Sequence, residues 1–253
     1  MKRVLVTEPI HKDGIDILSS RDDLEVIRAD NADPATLARL IPGVHGIAVR
    51  TAKMSANLLS LSKDLQVVSR HGVGCDNVDV AHLNQRRIPL AVAAGANSTS
   101  VAELTFAMML TLTRRLRDLD QAVRANNFGA RSKLLSLELE GANLLIVGFG
   151  RIGRKVAARA RAFGMNVTIS DIALDHAAAN ELGCKAVEDF RLELPDADIL
   201  SVHVPLDAST FHLVSNEVLS QMKPGAVLLN CARGGVVDEA ALLKVLAHGR
   251  LGG

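Results

Sequence analysis

The segment LLIVGFGRIGRKVAARARAFGMNVTISD, Leu144 to Asp171, sets Gly148, Gly150 and Gly153 after a short apolar run and at the head of a helical pattern. In that context the first glycine permits a tight turn and the second lets backbone approach a pyrophosphate. The third lets helix pack closely on strand, while the helix N-terminus supplies unpaired N–H groups. The following apolar run ends in Asp171, roughly twenty residues beyond the first glycine, where a carboxylate accepts from ribose hydroxyls and repels a 2′-phosphate. The pattern predicts a site for NAD in preference to NADP. The alternative is a glycine turn that only packs helix on strand, with Asp171 as a turn former.

Two later stretches bring polar groups to strand ends. AVLLNCARGGVVDEAALL, Ala226 to Leu243, is an apolar strand that ends in Cys231, Ala232 and Arg233, followed by two glycines and a helix that Asp238 can cap. A guanidinium at that edge could grip a carboxylate with two N–H groups and polarise a carbonyl; the alternative is an arginine snorkelling at the surface. In DILSVHVPLDAST a buried strand runs into His203, Val204 and Pro205. His203 reads first as a packing or spacer residue and second as an acid, because nothing nearby in sequence would tune it.

The elements that must position these residues follow from short apolar runs alternating with amphipathic stretches, which predict a parallel α/β architecture. Strands are expected over Arg3–Thr7, Leu24–Arg28, Gly46–Arg50 and Leu65–Ser69, with helices near His11–Ser19, Pro34–Leu40 and Ser55–Leu61. Asp33 is the expected cap of the second helix and Pro34 its first residue. Ser98 to Arg124 reads as one long helix joining two units, residues 1–97 and 98–253, and a second α/β series begins at Asn143. The core must be aliphatic, since the 253 residues include six Phe and no Trp or Tyr. Twenty-nine Lys and Arg against 28 Asp and Glu leave a formal charge of +1, which gives no electrostatic footprint for nucleic acid or an anionic membrane. Three scattered cysteines in no C-x-x-C pair argue against a disulfide framework or a zinc site, and suit a cytoplasmic protein. The start, MKRVLVTEPIHKDG, does not read as a signal peptide, and no apolar run reaches the ~20 residues of a membrane span.

Four ordered stretches carry a resemblance: SRHGVGCDNVDV from Ser69, NSTSVAELTFAMML from Asn97, VGFGRIG with Asp171, and the pair HVPLDAST and NCARGGVVDEAAL. Together they resemble the D-isomer-specific 2-hydroxyacid dehydrogenases, and most closely the D-3-phosphoglycerate dehydrogenase-like members. The resemblance implies a flavodoxin-like substrate domain followed by a Rossmann-type, doubly wound nucleotide domain, and NAD-linked hydride exchange at C2 of a small 2-hydroxy or 2-oxo acid. It implies that the backbone of Val73 and Gly74 faces the substrate carboxylate and that Arg50 lies near the substrate. Arg151 and Ile152 would hold the pyrophosphate and Asp171 the adenosine ribose. Val204 and Pro205 would line the adenosine side, Cys231 and Ala232 the nicotinamide side, and Arg233 would be the catalytic arginine. Family members usually continue past a segment like RLGG to a catalytic Glu and a proton-donating His, so the resemblance leads us to expect a C-terminally shortened sequence with an incomplete nucleotide domain. It leaves 3-phosphoglycerate, hydroxypyruvate and glyoxylate open as substrate classes, with Lys53 as a candidate for a phosphate. An NAD(H)-sensing protein without turnover, like the corepressors that share the fold, is the competing reading. A homodimer through an apolar face of Val101, Leu104, Thr105, Met108, Met109 and Leu112 is expected.

Overall fold

A computed structural model describes residues 1–253, which divide into two compact units, Met1–Asn97 and Ser98–Gly253. The first unit alternates strand and helix throughout: β1 (Lys2–Val6), α1 (Lys12–Ser19), β2 (Leu24–Arg28), α2 (Pro34–Leu40), β3 (Gly46–Val49), α3 (Ala56–Leu59), β4 (Val67–Arg70), α4 (Val80–Gln85) and β5 (Leu90–Val92). All its pairings are parallel and the strand order is β2-β1-β3-β4-β5, so the winding reverses between β1 and β3. That is the flavodoxin-like order, in which ligands sit beyond the strand ends at the reversal. Leu5, Ile47, Val49 and Val68 of the sheet pack against Leu37, Ile41, Leu58, Leu59 and Leu83 in a purely aliphatic core.

The second unit holds α5 (Ser98–Thr113), α6 (Leu116–Arg124), β6 (Asn143–Val147), α7 (Arg151–Ala162), β7 (Asn166–Ser170), α8 (His176–Glu181), β8 (Lys185–Ala186), β9 (Ile199–Val202), α9 (Asn216–Gln221), β10 (Val227–Asn230) and α10 (Glu239–Ala247). Its parallel sheet runs β10-β9-β6-β7-β8, the Rossmann order, with the reversal between β6 and β9. Alternate residues of β6 enter opposite cores, Leu144 and Ile146 one, Leu145 and Val147 the other, as a sheet covered on both faces requires. The N–H of Gly252 bonds the carbonyl of Ala226, and the N–H of Leu228 bonds that of Gly253, so the outer edge of β10 is partly paired.

Three local expectations change. The single helix over Ser98–Arg124 is two helices, because Arg115 takes a left-handed conformation (φ 52°, ψ 38°) and its guanidinium folds onto Asp118 in the next turn. Asp33 precedes Pro34 as the N-terminal flank of α2, but its side chain makes no capping bond. The apolar face assigned to the long helix also splits. Thr105 and Met109 pack inward with Ala102 and Phe106, while Leu104, Met108 and Leu112 stay exposed.

Candidate functional site

In the second unit, the residues singled out by spacing gather beyond the carboxyl ends of β6, β7, β9 and β10. Gly148 has φ +99°, and a Cβ there would lie 2.7 Å from the backbone carbon of His203, so the turn admits only glycine. At Gly153 a Cβ would stand 2.1 Å from the carbonyl oxygen of Gly148, which is the close helix-to-strand approach. At Gly150 a Cβ would meet nothing within 4 Å. Gly150 is also the N-cap of α7 and no side chain caps the helix, so the first-turn N–H groups, those of Arg151 and Ile152 among them, lack a side-chain cap. A cradle with no side chain, a helix N-terminus without a side-chain cap and an acid at the next strand end fit a dinucleotide pyrophosphate and ribose.

Asp171 already carries backbone: Oδ2 accepts from Phe149 N–H at 2.6 Å and Oδ1 from Ala173 N–H at 2.9 Å. Each carboxylate oxygen keeps a second lone pair, so the aspartate is pre-oriented without being used up. Beyond β9, His203 Nε2 lies 2.8 Å from the fully buried Ser201 hydroxyl, while Nδ1 is buried without a partner. Burial drives the imidazole pKa down to about 4, so the ring is neutral at pH 7 and keeps a single N–H. Val204 is half-buried and Pro205 exposed, the latter's carbonyl taking the Thr210 hydroxyl at 2.6 Å.

The turn after β10 is held by a residue that spacing alone did not single out. Asn230 Oδ1 accepts from Ala232 N–H at 3.0 Å and its Nδ2 donates to the Arg233 carbonyl at 2.8 Å, closing an Asx-type turn around Cys231 and Ala232. Arg233 is half-buried with extended backbone, and its Nη1 donates to the Ala232 carbonyl at 2.9 Å. Cys231 Sγ sits 3.8 Å from Met108 Sδ on α5. The backbone of Arg233 is thus fixed at the sheet edge by Asn230.

In the first unit, the corresponding edge is organised by Glu8, which the sequence did not single out. Its carboxylate accepts from the N–H groups of Arg50 (2.9 Å), Thr51 (2.7 Å) and Ala52 (2.9 Å) and from the Thr51 hydroxyl. Burial opposes ionisation, but the Thr51 hydroxyl and the three N–H groups outweigh it and hold the pKa at about 2. On the other side of the same loop, Asn77 Nδ2 donates to the Ala52 carbonyl at 2.8 Å, tying the loop to the segment that follows His71-Gly72-Val73-Gly74. Arg50 is exposed, with Nη1 3.4 Å from the Pro9 carbonyl. Gly72 has φ +146° and the Arg70 guanidinium fills the place its Cβ would take, donating also to the His71 carbonyl at 2.7 Å. Val73 is exposed and Gly74 half-buried, next in the turn. Lys53 instead lines a groove with Pro34, Ala38, Ser55 and Asn57, between α2 and α3. No group of three or more His, Cys, Asp or Glu side chains gathers as metal ligands, and the three cysteines are free.

Residues 106–253 match the family model described as the NAD-binding domain of D-isomer specific 2-hydroxyacid dehydrogenases. The chain belongs to the D-isomer specific 2-hydroxyacid dehydrogenases. D-3-phosphoglycerate dehydrogenase of Methanocaldococcus jannaschii is 35% identical over 99% of this chain and 48% of its own length. Hydroxypyruvate reductase of Thermotoga maritima is 34% identical over 98% of this chain and 80% of its own. The chain therefore spans about half the length of the D-3-phosphoglycerate dehydrogenases it matches. Among solved structures, D-lactate dehydrogenase of Aquifex aeolicus complexed with NAD and lactic acid superposes with a TM-score of 0.90 at 32% identity, over 99% of this chain and 75% of that one. No helix is long and apolar enough to cross a membrane.

Proposed function

We propose that this chain carries the nucleotide- and substrate-binding machinery of an NAD-dependent oxidoreductase. It would move a hydride between the nicotinamide and C2 of a small D-2-hydroxy or 2-oxo acid of the 3-phosphoglycerate, hydroxypyruvate or glyoxylate class. The observation that carries this reading is the placement of the open glycine cradle after β6 and the pinned Arg233 turn after β10 on one sheet edge. They are two strand spacings apart, roughly 10 Å, with β9 between them.

In this reading Gly148, Gly150 and Gly153 shape the cradle, and the N–H groups of Arg151 and Ile152 take the pyrophosphate. Asp171 takes the adenosine ribose, Val204 and Pro205 flank the adenosine, and Cys231 and Ala232 flank the nicotinamide. The cofactor supplies the hydride chemistry when bound. Arg233 holds the acid's carboxylate and polarises the carbonyl as negative charge builds on its oxygen. Arg50 and the N–H groups of Val73 and Gly74 are assigned to the substrate as well. Asn230 and Glu8 act through these groups, the first by fixing the Arg233 turn and the second by fixing the loop that bears Arg50.

The same reading includes a homodimer. Leu104, Met108 and Leu112 on α5 are 53%, 38% and 36% exposed, an apolar face at helical spacing suited to a second copy, and Val123 and Phe128 further along the chain are each 70% exposed.

The test is NADH oxidation by the full-length gene product with glyoxylate, hydroxypyruvate and phosphohydroxypyruvate. Turnover of at least one acid to the D-product supports the dehydrogenase. Tight NADH binding with no turnover on any of them supports the sensing protein instead.

A further inference from the structure

One carboxylate and one guanidinium hold Phe149, the residue after the first glycine of the cradle, and a second carboxylate holds that guanidinium. Its N–H is taken by Asp171 Oδ2 at 2.6 Å and its carbonyl by Arg154 Nε at 3.2 Å. The guanidinium also lies over the Phe149 ring, 4.9 Å from its centre. Acid and base are therefore attached to the two polar ends of one residue, at the rim of the proposed ribose site. The ion pair of Arg154 is formed with Asp175, whose Oδ2 accepts from Nη2 at 2.9 Å. Asp175 Oδ1 meanwhile caps α8 by accepting from Ala178 N–H at 3.0 Å. The Ala178 N–H first and Arg154 second hold the Asp175 carboxyl below the usual carboxylate range. Both side chains of the pair are about two-fifths exposed, 40% and 42%, within reach of a ligand at the rim, and Ile172 between the two acids is fully exposed.

The charges at this rim sum to minus one: Asp171 and Asp175 against Arg154. Taking away Asp171 alone leaves a neutral pair, whereas taking away both acids leaves a guanidinium anchored only through Nε on the Phe149 carbonyl, with Nη2 released to bond a phosphate. We propose that Asp175 is a second determinant of cofactor choice, acting through Arg154 by occupying the guanidinium that would otherwise accept a 2′-phosphate. The proposal deepens the reading of Asp171 as the ribose acceptor and rests on it.

The test is titration of NADH and NADPH by nicotinamide fluorescence, read as the ratio of the two dissociation constants, NADPH over NADH. It compares wild type, Asp171→Ala, Asp171→Ala/Asp175→Asn, and that double variant with Arg154→Gln added. Asparagine at 175 keeps an oxygen to cap α8, and circular dichroism checks each fold. Asp171→Ala should lower the ratio by about tenfold, and adding Asp175→Asn should lower it by a further threefold to tenfold, a modest step for one exposed charge. Adding Arg154→Gln should cancel that second step. A double variant with the ratio of Asp171→Ala, or a second step that survives Arg154→Gln, would overturn the role of Asp175. Equal loss of both cofactors would do the same, because a purely structural role moves both alike. A wild type that binds NADPH as tightly as NADH would instead overturn the assignment of Asp171, and this proposal with it.

Discussion

At the scale of single residues, the glycine turn separates packing from binding. Gly153→Ala forces a methyl into the space of the Gly148 carbonyl oxygen, 2.1 Å away, so α7 must shift off β6. We expect a loss of about 1–3 kcal/mol in stability together with a weaker hold on NADH. Gly150→Ala meets open space at φ −78°, so it should cost under about 1 kcal/mol in denaturant unfolding while still blocking close backbone approach. An NADH affinity of Gly150→Ala equal to wild type would show that the cradle is not the pyrophosphate site. His203 offers an independent check at the same scale. Its ring should titrate by NMR with a midpoint near 4, since burial disfavours the charged form. A midpoint at the ordinary value of 6.5 would mean that the ring is solvated.

At the scale of elements, the loop after β3 is a set of three N–H donors converging on one carboxylate, and this gives a pH signature. The folded pKa of Glu8, about 2, lies below its reference of 4.5, so its stabilising contribution is complete above that reference and is lost as pH falls toward 2. Glu8→Gln should therefore be less stable than wild type at pH 7, by about 1–3 kcal/mol for a lost charged acceptor, and the gap should narrow near pH 3. Urea midpoints measured at both pH values decide it; a gap that does not change with pH would mean that the carboxylate is not held as described. This loop also marks where sequence reading stops. The strand, glycine turn, helix and acid from Leu144 to Asp171 were legible because every part lies within one local pattern. Glu8 reaches its partners across more than forty residues, and Asn230 shows its role only once the turn is closed. The short β5 escaped because three residues are too few for a periodic signal. The break at Arg115 escaped because no glycine or proline announces it.

At the scale of the whole molecule, the exposed apolar run on α5 and α6 predicts self-association through the second unit. Light scattering should give a dimer at micromolar concentration, and Leu104→Glu with Met108→Glu should give a monomer, since both side chains are exposed in the single chain. A wild type that stays monomeric removes the interface. The central claim is catalytic, however, and it turns on Arg233, whose turn is pinned by Asn230 at the edge of the nucleotide sheet. The most direct measurement is the rate of NADH oxidation with hydroxypyruvate, glyoxylate or phosphohydroxypyruvate at saturating NADH, in full-length wild type and Arg233→Ala side by side. The account predicts turnover of at least one acid by wild type and a fall of roughly a hundredfold or more in Arg233→Ala, the scale of losing one oxyanion-stabilising group, with NADH affinity preserved. Equal rates in the two proteins, or no turnover by wild type on any of the three acids, would contradict it.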